Sequence, residues 1–218
     1  MTLALGALDL LLTDHHVHST WSDDAVSAPR ENLVAARDTG LASIRMVDHV
    51  RTTTTWVPGF LAEVAALPRI DGLEVLTGVE AKILDASGRL DVPDDLVVGP
   101  GGVDRILLDI LVTATVRAME RVGRGQLAHL FSLLPKIGLH ESALCDDHLA
   151  AIANAAVRTG TAVEVNEKWR CPGPRAVLAL AAAGVPLVGS TDSHECSTVG
   201  RYSWVSDAAS ATRLVGVR

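Results

Sequence analysis

Short β-like runs alternate with Ala-rich helical runs along almost the whole chain, a pattern that leaves little room for anything but repeated βα units around a parallel sheet. Strand candidates fall at 8–15, 42–48, 73–80, 105–113, 126–130, 161–166 and 185–190. Helical stretches lie between them at 29–39, 59–66, 146–159 and 174–183, and several end at Gly40, Gly160 or Gly184, where a helix C-terminus favours glycine. The chain has 218 residues and 48% hydrophobic content, which suits a single domain spanning 1–218.

Polar residues recur where these strands finish: His16 and His18, Asp48 and His49, Glu80, His129, Asn166, Asp192 and His194. Catalytic groups of (β/α) barrels gather at the carboxyl ends of the strands, so the recurrence brings residues distant in sequence toward one axis. The strings Asp14-His15-His16-Val17-His18 and Ser190-Thr191-Asp192-Ser193-His194 each follow an apolar run. A strand sends i and i+2 to the same face, so each string offers two ligand atoms to one place. Neutral imidazole and carboxylate oxygen are the usual ligands of zinc, manganese and iron, and five of the eight His stand at strand ends.

Glu80 closes an apolar run, where an inward carboxylate is costly unless paired or bound to cations, and a bridging ligand fits. Asp48 and His49 point to opposite faces of any strand; His49 is the expected ligand, with Asp48 orienting a neighbour. His15 should face away from the metals, having His16 beside it. His129, flanked by Leu127, Ala128, Leu130 and Phe131, reads either as a ligand or as a hydrogen-bonded core residue.

The formal net charge of −7 gives no reason to expect duplex nucleic acid or an anionic membrane surface as partner. No stretch reaches the roughly 20 apolar residues of a membrane span. Cys145, Cys171 and Cys196 follow no zinc-finger spacing and fit a reducing, cytoplasmic setting, although Cys196 lies close enough to His194 to be a conceivable ligand. Gly99-Pro100-Gly101-Gly102 lacks the setting and Lys of a phosphate loop and reads as a surface turn.

The order H-x-H, D-H, G-V-E, A-H and S-x-D-S-H, spread over residues 14–202, resembles the polymerase-and-histidinol-phosphatase (PHP) superfamily. The stretch from Asp14 to His49, with Trp21-Ser22-Asp23-Asp24 and Pro29-Arg30-Glu31-Asn32, is most similar to its histidinol-phosphatase branch. This resemblance implies an α/β fold, a distorted (β/α)7 barrel with two or three divalent ions (zinc, manganese or iron) at the C-terminal ends of the strands. It implies that His16, His18, Glu80 and Asp192 hold a first metal, that Glu80 bridges to a second bound by His129, and that Asp24 or Asp23 joins His49 and His194 around a third. Superfamily members usually carry a further His after the fourth strand; the corresponding run here, 109–116, has none.

The implied activity is hydrolysis of a small phosphomonoester such as histidinol phosphate, with Glu80, Asp192 and His194 as the catalytic set. Multinuclear sites acidify a shared water and stabilise the leaving oxygen. Arg170 and Arg201 are the expected phosphate contacts, because a guanidinium pairs with phosphate in bidentate fashion. Arg117, Arg121 and Arg124 are expected to line an exposed helix, and Trp21 and Trp169 to flank a ring-bearing substrate or pack at the rim. Rival readings are a nucleotide or oligonucleotide phosphoesterase of the same superfamily and a barrel that binds metal without turnover.

Overall fold

The computed structural model describes residues 10–92 and 107–213. Among them run strands β1 (Thr13–Val17), β2 (Ser43–His49), β3 (Glu74–Glu80), β4 (Gln126–Leu127), β5 (Ala162–Asn166) and β6 (Leu187–Ser190). The helices are α1 (Pro29–Asp38), α2 (Val57–Ala65), α3 (Leu107–Val122), α4 (Asp146–Thr159), α5 (Pro174–Ala182) and α6 (Trp204–Arg213). Strands β1, β2 and β3 form one parallel sheet in that order, and β4, β5 and β6 a second. The two sheets meet where β1 runs into the loop after β6. His18 donates its backbone N–H to Ser193 O at 2.8 Å, and Ser193 returns one to His16 O at 3.2 Å. The outcome is an α/β arc of parallel strands whose two ends are β3 and β4.

Apolar alternation sets which face meets the helices. Ile44 and Met46 of β2, with Val17 of β1, pack against Leu33 and Ala36 of α1 and Phe60 and Val64 of α2. The opposite face of β2 is thereby left to Arg45 and His49. Behind the second sheet, Val163 and Val165 pack against Ile152, Ala155 and Ala156 of α4, Val177 and Leu180 of α5, and Val205 of α6. Both helix layers thus cover the outside of the arc, and its inside is where polar groups converge.

One expected strand is overturned. The run 105–113, where described, belongs to helix α3, which continues to Val122. Its buried or packed apolar positions, Leu108, Leu111, Val112, Ala118 and Met119, recur at helical spacing, and the run lasts far longer than a strand without a turn signal, so length and period both favour the helix. The run 109–116, which lacks the fourth-strand His, is helical throughout and follows no fourth strand in this segment where described. Strand β4 is shorter than the expected 126–130 because His129 and Phe131 take positive φ of 29° and 79°, turning the chain off the ladder. Arg121 is not on an open helix face: it reaches the carbonyl of Ser87 at 3.3 Å. The Gly99 to Gly102 turn lies outside the described residues. No described helix is long and apolar enough to cross a membrane.

Asp14 fastens the chain's beginning to its end. Its carboxylate accepts from Thr191 N at 2.9 Å, Thr191 Oγ1 at 2.6 Å and Gly200 N at 2.9 Å, and burial pushes its pKa up to about 6 against these bonds. Nearby, Gly189 passes so close to residue 10 that an added Cβ would lie 2.0 Å from the Leu10 carbonyl oxygen. Backbone cannot yield as a side chain can, so Gly189→Ala is expected to lose about 3 kcal/mol, the upper end of overpacking costs, read as a lowered midpoint of urea unfolding. An unchanged midpoint would show that this approach of the two segments is not tight.

Candidate metal centre

Strand β1 carries a register irregularity between Asp14 and Val17, and both His16 and His18 end up inside the arc. Their Nε2 atoms are 2.9 Å apart. Each ring is fixed from behind by its Nδ1. His16 Nδ1 lies 2.8 Å from Glu164 Oε1 on β5. His18 Nδ1 lies 3.3 Å from Ser22 Oγ, whose own hydrogen goes to Asp48 Oδ1 at 2.7 Å, so Ser22 accepts from His18 and the Nε2 lone pair of His18 faces inward. Ser19 N and Oγ hold the same Asp48 at 2.8 and 2.7 Å.

The parallel pairing of β2 with β3 sets His49 directly beside Glu80. Glu80 Oε2 is 2.8 Å from His49 Nδ1 and 3.5 Å from the Nε2 atoms of both His16 and His18; Glu80 Oε1 is 3.0 Å from His129 Nε2. Asp192 Oδ1 lies 3.7 Å from His18 Nε2. On the other side, Asp24 Oδ2 is 3.3 Å from both His49 Nε2 and His194 Nε2.

Ligand atoms about 2.0–2.1 Å from a tetrahedral ion stand roughly 3.3–3.4 Å from one another. His16, His18 and Glu80, with spacings of 2.9 and 3.5 Å, fit that requirement, and His18, His49 and His194 form a second group within 4.8 Å. The donors are imidazole nitrogens and carboxylate oxygens, which suits zinc, manganese or iron. The His129 ring has Glu80 at its Nε2 and Ser132 Oγ 2.9 Å from its Nδ1, while its backbone N–H goes to Glu164. Cys196 is not among the converging atoms, and Asp24 rather than Asp23 meets the two imidazoles.

Electrostatics follow from this crowding. Burial opposes charge on His16, but Glu164 and Glu80 outweigh it and raise its pKa well above the ordinary 6.5. His18 is driven far down by burial and by the neighbouring His16 and His49, so of the close Nε2 pair His16 holds its proton more tightly and His18 more loosely. The hydrogen bond to Glu80 raises His49. Burial works against ionised Glu80, yet bonds from His129, His16 and His49 hold it far below the carboxylate range.

Cations at these nitrogens compete with protons, which His16 and His49 hold more tightly than an ordinary imidazole because Glu164 and Glu80 face them. Zinc binding to chelator-stripped protein is therefore expected to release protons and to tighten as pH rises from about 6 to 8, measurable as a calorimetric enthalpy that varies with the buffer's ionisation heat. A buffer-independent enthalpy would mean the raised imidazoles are not the groups engaged.

Among the described residues, three of the four non-glycine residues at positive φ lie in or next to this site: His129, Arg170 and Asp192, the last two at 53°. Such strain concentrates where function requires it. Arg170 and Arg201 are exposed, and neither side chain contacts the clustered ligand atoms; the basic side chain that does is Lys168, 3.0 Å from Asp192 Oδ1. Trp169 borders the site, its Nε1 2.6 Å from Asp192 Oδ2, whereas Trp21 packs on Trp56 and bonds Glu63. His15 bonds Ser43 and stays out of the cluster.

Glu164, Ser22 and Lys168 act at the site in roles that their residue types and positions in the chain did not assign. Glu164 left a signal, since a charged residue between Val163 and Val165 in a buried strand demands partners. It has four: His16, Gln126 Nε2 at 2.7 Å, His129 N at 3.1 Å and Asn166 Nδ2 at 3.0 Å.

The chain is similar to proteins that carry phosphatase names. It is 28% identical over 216 residues to a probable phosphatase of Caldanaerobacter subterraneus subsp. tengcongensis, covering 88% of this chain and 80% of that one. It is 29% identical over 220 residues to a probable phosphatase of Vibrio vulnificus, covering 90% and 83%. A probable phosphatase of Thermoanaerobacter sp. is 36% identical over 93 residues, 40% of this chain. No family model matches. In fold, the chain is similar to the histidinol phosphate phosphatase HisK of Lactococcus lactis, solved with zinc, L-histidinol and phosphate, at a TM-score of 0.61 over 94% of each chain with 15% identity.

Proposed function

We propose that this chain is a metal-dependent phosphatase, a hydrolase acting on a small phosphomonoester of the histidinol phosphate type. The observation that carries the reading is the convergence of His16, His18, Glu80, Asp192, His129, Asp24, His49 and His194 from the ends of separate strands onto one inward face. The phosphatase names of its relatives support the reaction class, and the HisK neighbour, which binds zinc, histidinol and phosphate, supports a small substrate. The arc of strands, matched over almost the full length of that neighbour, supports a distorted (β/α)7 architecture in one domain.

His16, His18, Glu80 and Asp192 would hold a first divalent ion, Glu80 and His129 a second, and Asp24, His49 and His194 a third. Bound there, such ions supply the positive charge that acidifies water and offsets charge on the phosphoryl oxygens. The chain's own residues hold the geometry. Glu164 and Ser22 fix the His16 and His18 tautomers, and Asp48 braces Ser22. Glu80 spans two sets of imidazoles with its two oxygens. Arg170 and Arg201, exposed on turns following β5 and the His194 loop, would offer an incoming phosphate the bidentate fork of a guanidinium.

The test is hydrolysis of a panel of small phosphomonoesters, histidinol phosphate included, by folded protein supplied with zinc, manganese or iron. Release of phosphate from one of them is the expected result. A folded, metal-loaded protein inactive on all of them would leave the reading without support and favour a barrel that binds metal without turnover.

A further inference from the structure

Asp192 has both carboxylate oxygens engaged by consecutive residues of one turn. Trp169 Nε1 donates to Oδ2 at 2.6 Å, and Lys168 Nζ donates to Oδ1 at 3.0 Å while lying 3.3 Å from His194 Nδ1. The turn itself is pinned at its flanks. Glu167 accepts from Ser203 Oγ, Trp204 N and Val205 N at the start of α6, and Trp169 N donates to Asn166 Oδ1 at 3.0 Å. The indole is pinned further by the Lys136 ammonium, 4.4 Å above its ring. Lys168 is different: its side chain is 46% exposed, so a long flexible stem carries a charge that can leave Oδ1 for the mouth of the site.

Oδ1 is also the Asp192 oxygen that faces His18, at 3.7 Å, and the one a cation beside His16, His18 and Glu80 would need. Oδ2 is taken by the indole, and an ammonium and a divalent ion on the same oxygen are like charges a few ångströms apart, which repel. We propose that Lys168 is a phosphate-binding residue, one that yields Asp192 to the cation and turns its ammonium to the phosphoryl oxygens of the substrate. The proposal rests on the phosphatase reading and deepens it by naming the residue that couples occupancy of the cation site to capture of the anion. A lysine suits the task because it is a point charge on a swinging stem, needing no fixed fork orientation. With Arg170 and Arg201 off the clustered atoms, Lys168 is the cation already at the reacting face.

Lys168→Met and Lys168→Gln test it, both at a half-exposed position and both checked for the parent's circular dichroism spectrum, with two calorimetric titrations that need no turnover. In the first, chelator-stripped protein is titrated with zinc alone. Both variants are expected to bind zinc about tenfold or more tighter than the parent, because a competing charge-assisted hydrogen bond has been removed. In the second, zinc-loaded protein is titrated with inorganic phosphate, and both variants are expected to bind it about tenfold or more weaker, with Lys168→Arg restoring most of the loss. Zinc affinity that is unchanged or weakened, or phosphate affinity that is unchanged, overturns the proposal. Failure of the phosphatase reading would appear elsewhere, as a zinc-loaded parent protein that hydrolyses no phosphomonoester whatever the variants do in the titrations.

Discussion

Glu80→Gln is expected to lower kcat/KM for phosphomonoester hydrolysis roughly a thousandfold at saturating metal, because several kcal/mol of charge organisation passes through this one carboxylate. Its Oε2 faces His16, His18 and His49, and its Oε1 faces His129. The amide keeps the shape, so the fold should survive with an unchanged circular dichroism spectrum, but it offers one neutral oxygen where two charged ones served two imidazole sets. Bound metal per chain, measured by elemental analysis after dialysis, is expected to fall in parallel. Activity within tenfold of the parent would show that the clustered imidazoles operate without a bridging carboxylate.

Glu164→Ala is expected to cost about 3–5 kcal/mol of folding free energy, since it leaves the His16 charge buried without its partner. Both side chains of this pair are 1% exposed, and the carboxylate also secures Gln126, the His129 backbone and Asn166. Losing the group that orients a metal-binding imidazole typically costs a further 10- to 100-fold in metal affinity or activity, and that is the expected result here. Glu164→Gln, which keeps an acceptor for Nδ1–H, should recover part of the stability and less of the activity. In chelator the pair has a pH signature. Glu164 is held below its ordinary 4.5 although burial opposes this, and His16 above its ordinary 6.5. The stabilisation is thus full between about pH 4.5 and 6.5, is lost as acid protonates Glu164 through its lowered pKa, and is lost again as base deprotonates His16 through its raised one. Urea unfolding across pH would reveal this window, and a Glu164→Ala protein as stable as the parent would contradict it.

Four of the six described helices, and all six described strands at least in part, could be read in the chain because apolar period, Ala content and terminal Gly or Pro are local signals. The helix from Asp146 to Thr159 has the expected bounds, and β3 differs from the expected 73–80 by one residue. The exception is 105–113, where a short apolar run satisfies strand and helix alike; its continuation through Val116 and Met119 at helical spacing, packed into the core behind β5, decides for helix. The ring-bearing role weighed for Trp21 is not carried by its contacts, because nothing local distinguishes a tryptophan packed on α2 from one at the site, as Trp169 is.

By itself the sequence determined which atoms were available for chemistry: imidazoles and carboxylates set two apart at strand ends, where the pleat must send them to one face. Which of them meet was decided by tertiary structure. Asp24 rather than Asp23 faces His49 and His194, Glu164 stands behind His16, and Lys168 holds Asp192, because those pairings depend on β1 lying beside both β2 and β6 and on turns whose direction no local pattern encodes. Distances between groups a hundred and more residues apart are a property of packing, and only packing brings a buried charge within reach of its partner.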